Sequence, residues 1–156
     1  MNFQMIFLIH SACTLYLVGL IWTIQQVHYP LMDRVGDEQF VRYERDHGQS
    51  ITPIVGPPMV IELFTAFLIV SGNLPPWMPR WTAVAGLAAV VLIWLSTFLL
   101  QVPYHDRLLA GFDADVHRKL VTTNWVRTIL WTARGALVIY WLGRALQGSA
   151  TPSLES

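Results

Sequence analysis

The sequence predicts an all-α integral membrane protein, a four-helix bundle running up-down-up-down, and three observations carry that prediction. Apolar residues make up 54 % of the chain and charged residues only 13 %, whereas a soluble domain carries about a quarter charged residues. Four apolar stretches, near Met5–Val27, Ile54–Ser71, Trp81–Val102 and Leu120–Leu142, have about the length that crosses a bilayer. Four of the five histidines fall at span ends that such an arrangement brings to one membrane face.

The first span follows MNFQMIFLIH, which lacks a basic leader region and is followed by no small-residue cleavage site, so it reads as a retained helix. Pro53, Pro57 and Pro58 crowd the start of the second span. Proline suits the first turn of a helix, so they read as its N-terminus. The third span follows a short, Pro-rich link (GNLPPWMPR) with Trp77 and Trp81 as interfacial anchors. The fourth is the least apolar and carries Asn124, Arg127 and Arg134.

Two other connections are charged. DEQFVRYERDH places Phe40, Tyr43, Glu44 and His47 on one face of a helix. FDADVHRK places Asp113 and His117 four residues apart. Residues 1–147 thus form one four-span domain, and the polar tail GSATPSLES (148–156) reads as disordered. VHYPLMDRVGDEQF and VPYHDRLLAGF echo one another after the first and third spans, as two repeated helical hairpins would.

A net charge of zero leaves no electrostatic footprint for nucleic acid. The single cysteine, Cys13, excludes an intrachain disulfide or a CxxC motif and reads as a small core residue. Arg34, Arg42, Arg45, Arg107, Arg118 and Lys119 flank the His-bearing end, against Arg80 and Arg144 at the other. The positive-inside rule then places the His-rich face in the cytoplasm and the protein in the inner (plasma) membrane.

His28 and His105 close the first and third spans, and His47 and His117 precede the second and fourth. Imidazoles with carboxylates make sites for iron, copper, manganese or zinc. Glu44 and His47 have the E-x-x-H spacing used in di-iron bundles. The candidate ligand set is therefore His28, Glu44, His47, Glu62, His105 and His117, with iron or copper as candidate metals. Each residue also has a plainer reading. A histidine at a helix C-terminus complements the dipole, and one before a span sits at the interface. Glu62, in a span at a cost of about 2.5 kcal/mol or more, could pair with Arg127. Asn124, Arg127, Trp131 and Arg134 form a polar stripe that binds the oxygens of a substrate or knits the helices together. His10 shares a face with His28 about 27 Å away, the spacing of two stacked haems. No second histidine lies near its depth, which favours a core role.

An apolar helix ending in HYP, a connection with F-x-x-Y-x-x-x-H and a third span ending in PYHDRL together resemble uncharacterised small bacterial four-span membrane proteins. They are distantly similar to the anthrone-oxygenase-like family, whose P-x-N-x-x-L element corresponds to Pro103, His105 and Leu108, with His in place of Asn. A fainter similarity, through His10 and Thr52-Pro53, is to the haem-containing membrane protoporphyrinogen oxidase, whose third-span lysine has no counterpart here. The candidate ligand set points to a metal-dependent oxidoreductase or oxygenase acting on a lipophilic, aromatic or quinone-like substrate, with Asn124 and Arg127 orienting its oxygens. The alternative is a non-catalytic binding or accessory subunit that holds a lipid, quinone or partner protein, and either form allows an oligomer.

Overall fold

A computed structural model describes residues 2–149 of the chain. It is all-helical: four long helices run through it, with no strand among the described residues. Helix α1 (Phe3–Arg34) starts on Asn2, whose side-chain oxygen accepts the Met5 N–H at 2.9 Å. Helix α3 (Arg80–Leu108) resembles it in one detail. Each contains a single wide turn, Ile24–His28 in α1 and Thr97–Gln101 in α3. The N–H of Tyr29 reaches back five residues to Ile24, and that of Val102 to Thr97. The next residue is a proline in both cases, Pro30 and Pro103. A proline ring lacks the N–H and crowds the carbonyl four residues back, so a helix that continues through one gains from a looser turn just before it.

Helix α2 (Asp37–Ser71) corrects the sequence expectation. Its start is not at the prolines but sixteen residues earlier, after Gly36, whose φ of 82° suits glycine. Pro53, Pro57 and Pro58 lie inside the helix. The first turns stay in line because tertiary contacts hold them: buried Phe40 packs with Tyr29, Met32, Leu108 and Leu120. Packing of an amphipathic face outweighs local propensity here.

Arg80 opens α3 and donates to the Val70 and Gly72 carbonyls at 3.0 and 3.2 Å, closing the end of α2. Helix α4 (Ala114–Ser149) is capped by Asp113, whose Oδ1 accepts the Asp115 and Val116 N–H groups at 2.9 and 3.0 Å. The helix therefore takes in Gly148 and Ser149, expected in the tail; the remainder of that tail, 150–156, lies outside the described residues.

The core falls into three layers. At one end Phe7, Ile69, Ala83 and Trp141 meet; in the middle Leu17, Met59, Ile93 and Trp131; at the other end Tyr29, Phe40, Leu108 and Leu120. The first layer takes the start of α1, the end of α2, the start of α3 and the late part of α4. Helices α1 and α4 approach closely at Gly135, where a Cβ would sit 2.9 Å from a Val18 methyl. Large apolar side chains face outward, with Phe64, Phe67, Leu99 and Ile129 all more than half exposed. Helices α1, α2 and α3 are long and apolar enough to cross a membrane.

The backbone N–H groups of Val116 and Asp115 hold the Asp113 carboxyl below the usual carboxylate range. Its cap stabilises α4 above the unfolded carboxylate pKa of about 3.9 and is lost as pH falls through the lower folded value. Asp113→Ala is expected to lower the thermal midpoint at pH 7, read by circular dichroism, and to leave it unchanged once the pH is low enough to protonate the wild-type carboxyl.

Candidate functional site

Polar side chains inside four apolar helices must find partners, and they do so in two groups. The deeper one centres on Glu62, 1 % exposed. Its Oε1 accepts from Arg134 Nε at 3.0 Å and the Thr14 hydroxyl at 2.7 Å, and its Oε2 from the Trp131 indole at 3.1 Å. Arg134 also donates to the Gly86 carbonyl and to His10 Nε2, the latter at 3.1 Å. Since His10 Nε2 accepts, its Nδ1 carries the proton and donates to the Thr65 hydroxyl at 2.9 Å, which in turn donates to the Ile61 carbonyl. All four helices contribute, and the ion pair is fully enclosed.

The expected partner of Glu62 was Arg127, and the structure corrects it to Arg134. Arg127 lies two turns along α4, nearer the His-bearing end. His10 joins this middle group, buried in the core.

The second group lies at the His-bearing end, where His28, His47, His105 and Glu44 come together. The His47 ring stacks on His28 at 4.3 Å between centroids and lies 5.5 Å from His105. The Tyr43 hydroxyl lies 3.4 Å from His28 Nε2, within hydrogen-bond reach. His105 is held on both sides: Nδ1 meets Glu44 Oε1 at 2.5 Å, and Nε2 meets the Tyr29 hydroxyl at 2.9 Å. Glu44, 2 % exposed, has a buried second oxygen with no partner.

From Tyr29 the chain of hydrogen bonds continues into α4. Arg127 Nη2 donates to the Tyr29 hydroxyl at 3.3 Å. Its Nε and Nη2 clamp the Asn124 side-chain oxygen at 2.8 and 2.5 Å, and Nη1 reaches Thr97 at 3.4 Å. Asn124 donates to Gln25 at 2.8 Å. Asn124 thus holds Arg127 from behind.

A cavity of about 350 Å³ opens beside this group. Its long walls are apolar, including Leu17, Ile21, Met59, Trp94 and Phe98, with Trp131 as the residue shared with the Glu62 network. Its polar lining comes from Tyr29, His47, Thr52, Thr97, Gln101, His105, Asp106 and Arg127. Gly48 and Gly56 form part of the α2 wall, and a Cβ at either would meet only open space. Gln101 donates to Thr123 at 3.0 Å, while its buried side-chain oxygen has no partner.

The sequence-derived candidates therefore divide. His28, Glu44, His47 and His105 gather at one end, and Arg127 meets them through Tyr29. Glu62 and Arg134 stand apart in the deeper ion pair. His117 Nε2 donates to the Tyr29 backbone carbonyl at 2.8 Å and so supports that tyrosine rather than joining the other imidazoles. Among the described residues no three His, Cys, Asp or Glu side chains are arranged to hold a metal ion. Sequence reasoning passed over Tyr29, Gln25 and Gln101. Gln25 and Tyr29 lie four apart, as do Gln101 and His105, and that spacing of polar groups at the end of an apolar run was the available signal.

No family model, curated protein or solved structure matches the chain.

Glu62→Ala and Arg134→Ala should each destabilise strongly, by about 3–5 kcal/mol, because either leaves an enclosed charge alone. The double variant should cost less than the sum. Glu62→Ala with Arg127→Ala should be close to additive. Unfolding titrations in detergent give all five values, and a coupled Glu62/Arg127 pair with an uncoupled Glu62/Arg134 pair would reverse the assignment.

Proposed function

We propose that the chain is a four-span membrane protein that takes a lipophilic molecule with an oxygen-bearing head, aromatic or quinone-like, out of the bilayer and into this cavity. Four helices alternating in direction, two of them with the same wide turn before a proline, support an up-down-up-down bundle of two repeated hairpins. The excess of arginine at the His-bearing end supports a cytoplasmic orientation for it in the plasma membrane.

One observation carries the reading. Arg127 is 6 % exposed, lines the cavity and has no carboxylate partner among the described residues. A guanidinium has five N–H donors. Asn124 takes two hydrogen bonds, Thr97 one and Tyr29 one, which leaves one donor for the cavity. A buried cation is costly without a counter-charge or an acceptor, and a ligand carbonyl or oxyanion supplies it. The apolar walls then hold the hydrocarbon part.

Trp94 and Trp131 line the cavity and make binding visible. A short-chain benzoquinone added to the detergent-purified protein should quench tryptophan emission saturably. Arg127→Gln should weaken binding by roughly 10-fold or more, the worth of a hydrogen bond to a charged group. Gly56→Phe, which fills open space in the cavity, should abolish it. Quenching that never saturates, or that Gly56→Phe leaves intact, would overturn the reading.

A second reading rests on the gathering of His28, His47, His105 and Glu44, a donor set suited to iron or copper. It makes the protein a metal-dependent oxidoreductase on the same ligand class. As arranged, the donors do not fit one ion, since both nitrogens of His105 are engaged. Elemental analysis decides it: near-stoichiometric iron or copper supports the oxidoreductase, and protein that stays metal-free after metal is offered back removes it.

A further inference from the structure

We infer that the cavity opens sideways through a gap between α2 and α3, so that it takes the head of a long-tailed lipophile while the tail stays in the bilayer; this rests on the binding reading above. The burial of the lining residues locates the mouth. Every exposed residue of the lining belongs to one of these two helices: Gly48 and Thr52 on α2, and Phe98, Val102 and Asp106 on α3. The residues that α1 and α4 contribute, Leu17, Ile21, Tyr29, Arg127 and Trp131 among them, are buried or half-buried and form the floor.

The spacing of the rim residues explains why a gap stays open there. Gly48, Thr52 and Gly56 recur every fourth position along α2, as Phe98, Val102 and Asp106 do along α3, so each set forms one stripe on its helix. The α2 stripe consists of small residues, and a Cβ at either glycine would meet nothing within 4 Å. The two helices are joined at both ends of the gap. At one end the His47 and His105 rings lie 5.5 Å apart, and at the other Met59 and Ile93 pack in the same core layer. Positions 47 to 59 and 93 to 105 are equal stretches, each about 18 Å long.

The gap runs from the depth of the headgroups into that of the hydrocarbon. Asp106 is exposed, and a carboxyl group in such a position belongs at the polar boundary of a bilayer. Phe98 is also exposed and lies between exposed Leu95 and Leu99, which suit lipid chains. Neither polar rim residue competes with Arg127 for a ligand carbonyl. The Thr52 hydroxyl donates to the Gly48 carbonyl at 2.7 Å, and Asp106 brings oxygen acceptors. The head is therefore held at the floor and the rim lets the rest pass. Pockets that enclose a drug-sized ligand run to about 300–1,000 Å³. A cavity of about 350 Å³ encloses a small head and the start of a chain, and a longer tail has its way out through the rim.

The test compares two benzoquinones with the same ring, one carrying a methyl group and one a decyl chain. The full chain is reconstituted in phosphatidylcholine vesicles, and the saturable part of the tryptophan quenching is titrated against quinone per lipid. A tail that stays among lipid neither gains nor loses on binding, so the two affinities should agree within about 3-fold. Thr52→Phe with Val102→Phe narrows the rim. That variant should weaken the decyl compound by about 10-fold or more through crowding of the chain. The methyl compound should still bind as it does to the wild type, which also shows that the variant folds. Val60→Phe, on the exposed face of α2 outside the lining, should change neither. Two results overturn the lateral mouth and leave the binding reading standing. One is a decyl compound bound far more weakly than the methyl one by the wild type. The other is a narrowed rim that leaves the decyl compound unaffected or weakens both alike. Absence of saturable quenching by either compound overturns both readings.

Discussion

Arg134 and Glu62 meet where the four helices are most tightly enclosed, and the surrounding polar groups serve that meeting. A guanidinium and a carboxylate withdrawn from water are tolerated only if their remaining donors and acceptors are also matched. The matching recruits one helix after another: Thr14 and His10 from α1, Thr65 behind His10, the Gly86 carbonyl from α3, and Trp131 from α4. Gly86 is part of the same requirement, because a Cβ there would sit 3.4 Å from Arg134 Nη1. The network therefore fixes the relative height of four helices whose apolar contacts would tolerate sliding.

That fixed height makes Arg127 informative. It lies seven residues before Arg134 on the same helix face, so the tie that orients one guanidinium inward also orients the other. Arg134 meets a carboxylate; Arg127 meets an amide, a hydroxyl and a phenol, and then a cavity. The closed network at the centre is a structural tie. The open one at the end, with acceptor capacity spare on Glu44 and Gln101, is the candidate site.

Much of this was legible in the sequence. Apolar runs gave the helices, and histidines at alternate ends of successive runs had to gather on one face. Phe40, Glu44 and His47 share a face by spacing alone, and the structure turns Phe40 and Glu44 into the core. Depth was the part that could not be read. Hydropathy gives the length of a run but not how far one helix slides past the next, and a two-turn difference of about 10 Å along α4 separates Arg127 from Arg134 as partners for Glu62. The start of α2 was misread for a related reason. Pro53 signals a helix N-terminus locally, and only the contacts of Phe40 and Glu44 across the bundle hold the preceding turns in line. Tyr29 was hidden because a tyrosine at the end of an apolar run looks like an interfacial anchor.

The wide turns connect these two lessons. A turn that closes over five residues instead of four inserts an extra residue, so everything beyond it is rotated relative to a regular helix. In α1 the residue closing that turn is Tyr29, and in α3 His105 follows three positions after it. Both members of the central hydrogen bond at the candidate site therefore stand just beyond a departure from helical regularity. A strictly regular α1 would direct Tyr29 about 100° away from its observed bearing, out of reach of either Arg127 or His105. Pro30 and Pro103 favour the irregular turn at both places, so residues that look like helix ends in the sequence aim the phenol and the imidazole at one another.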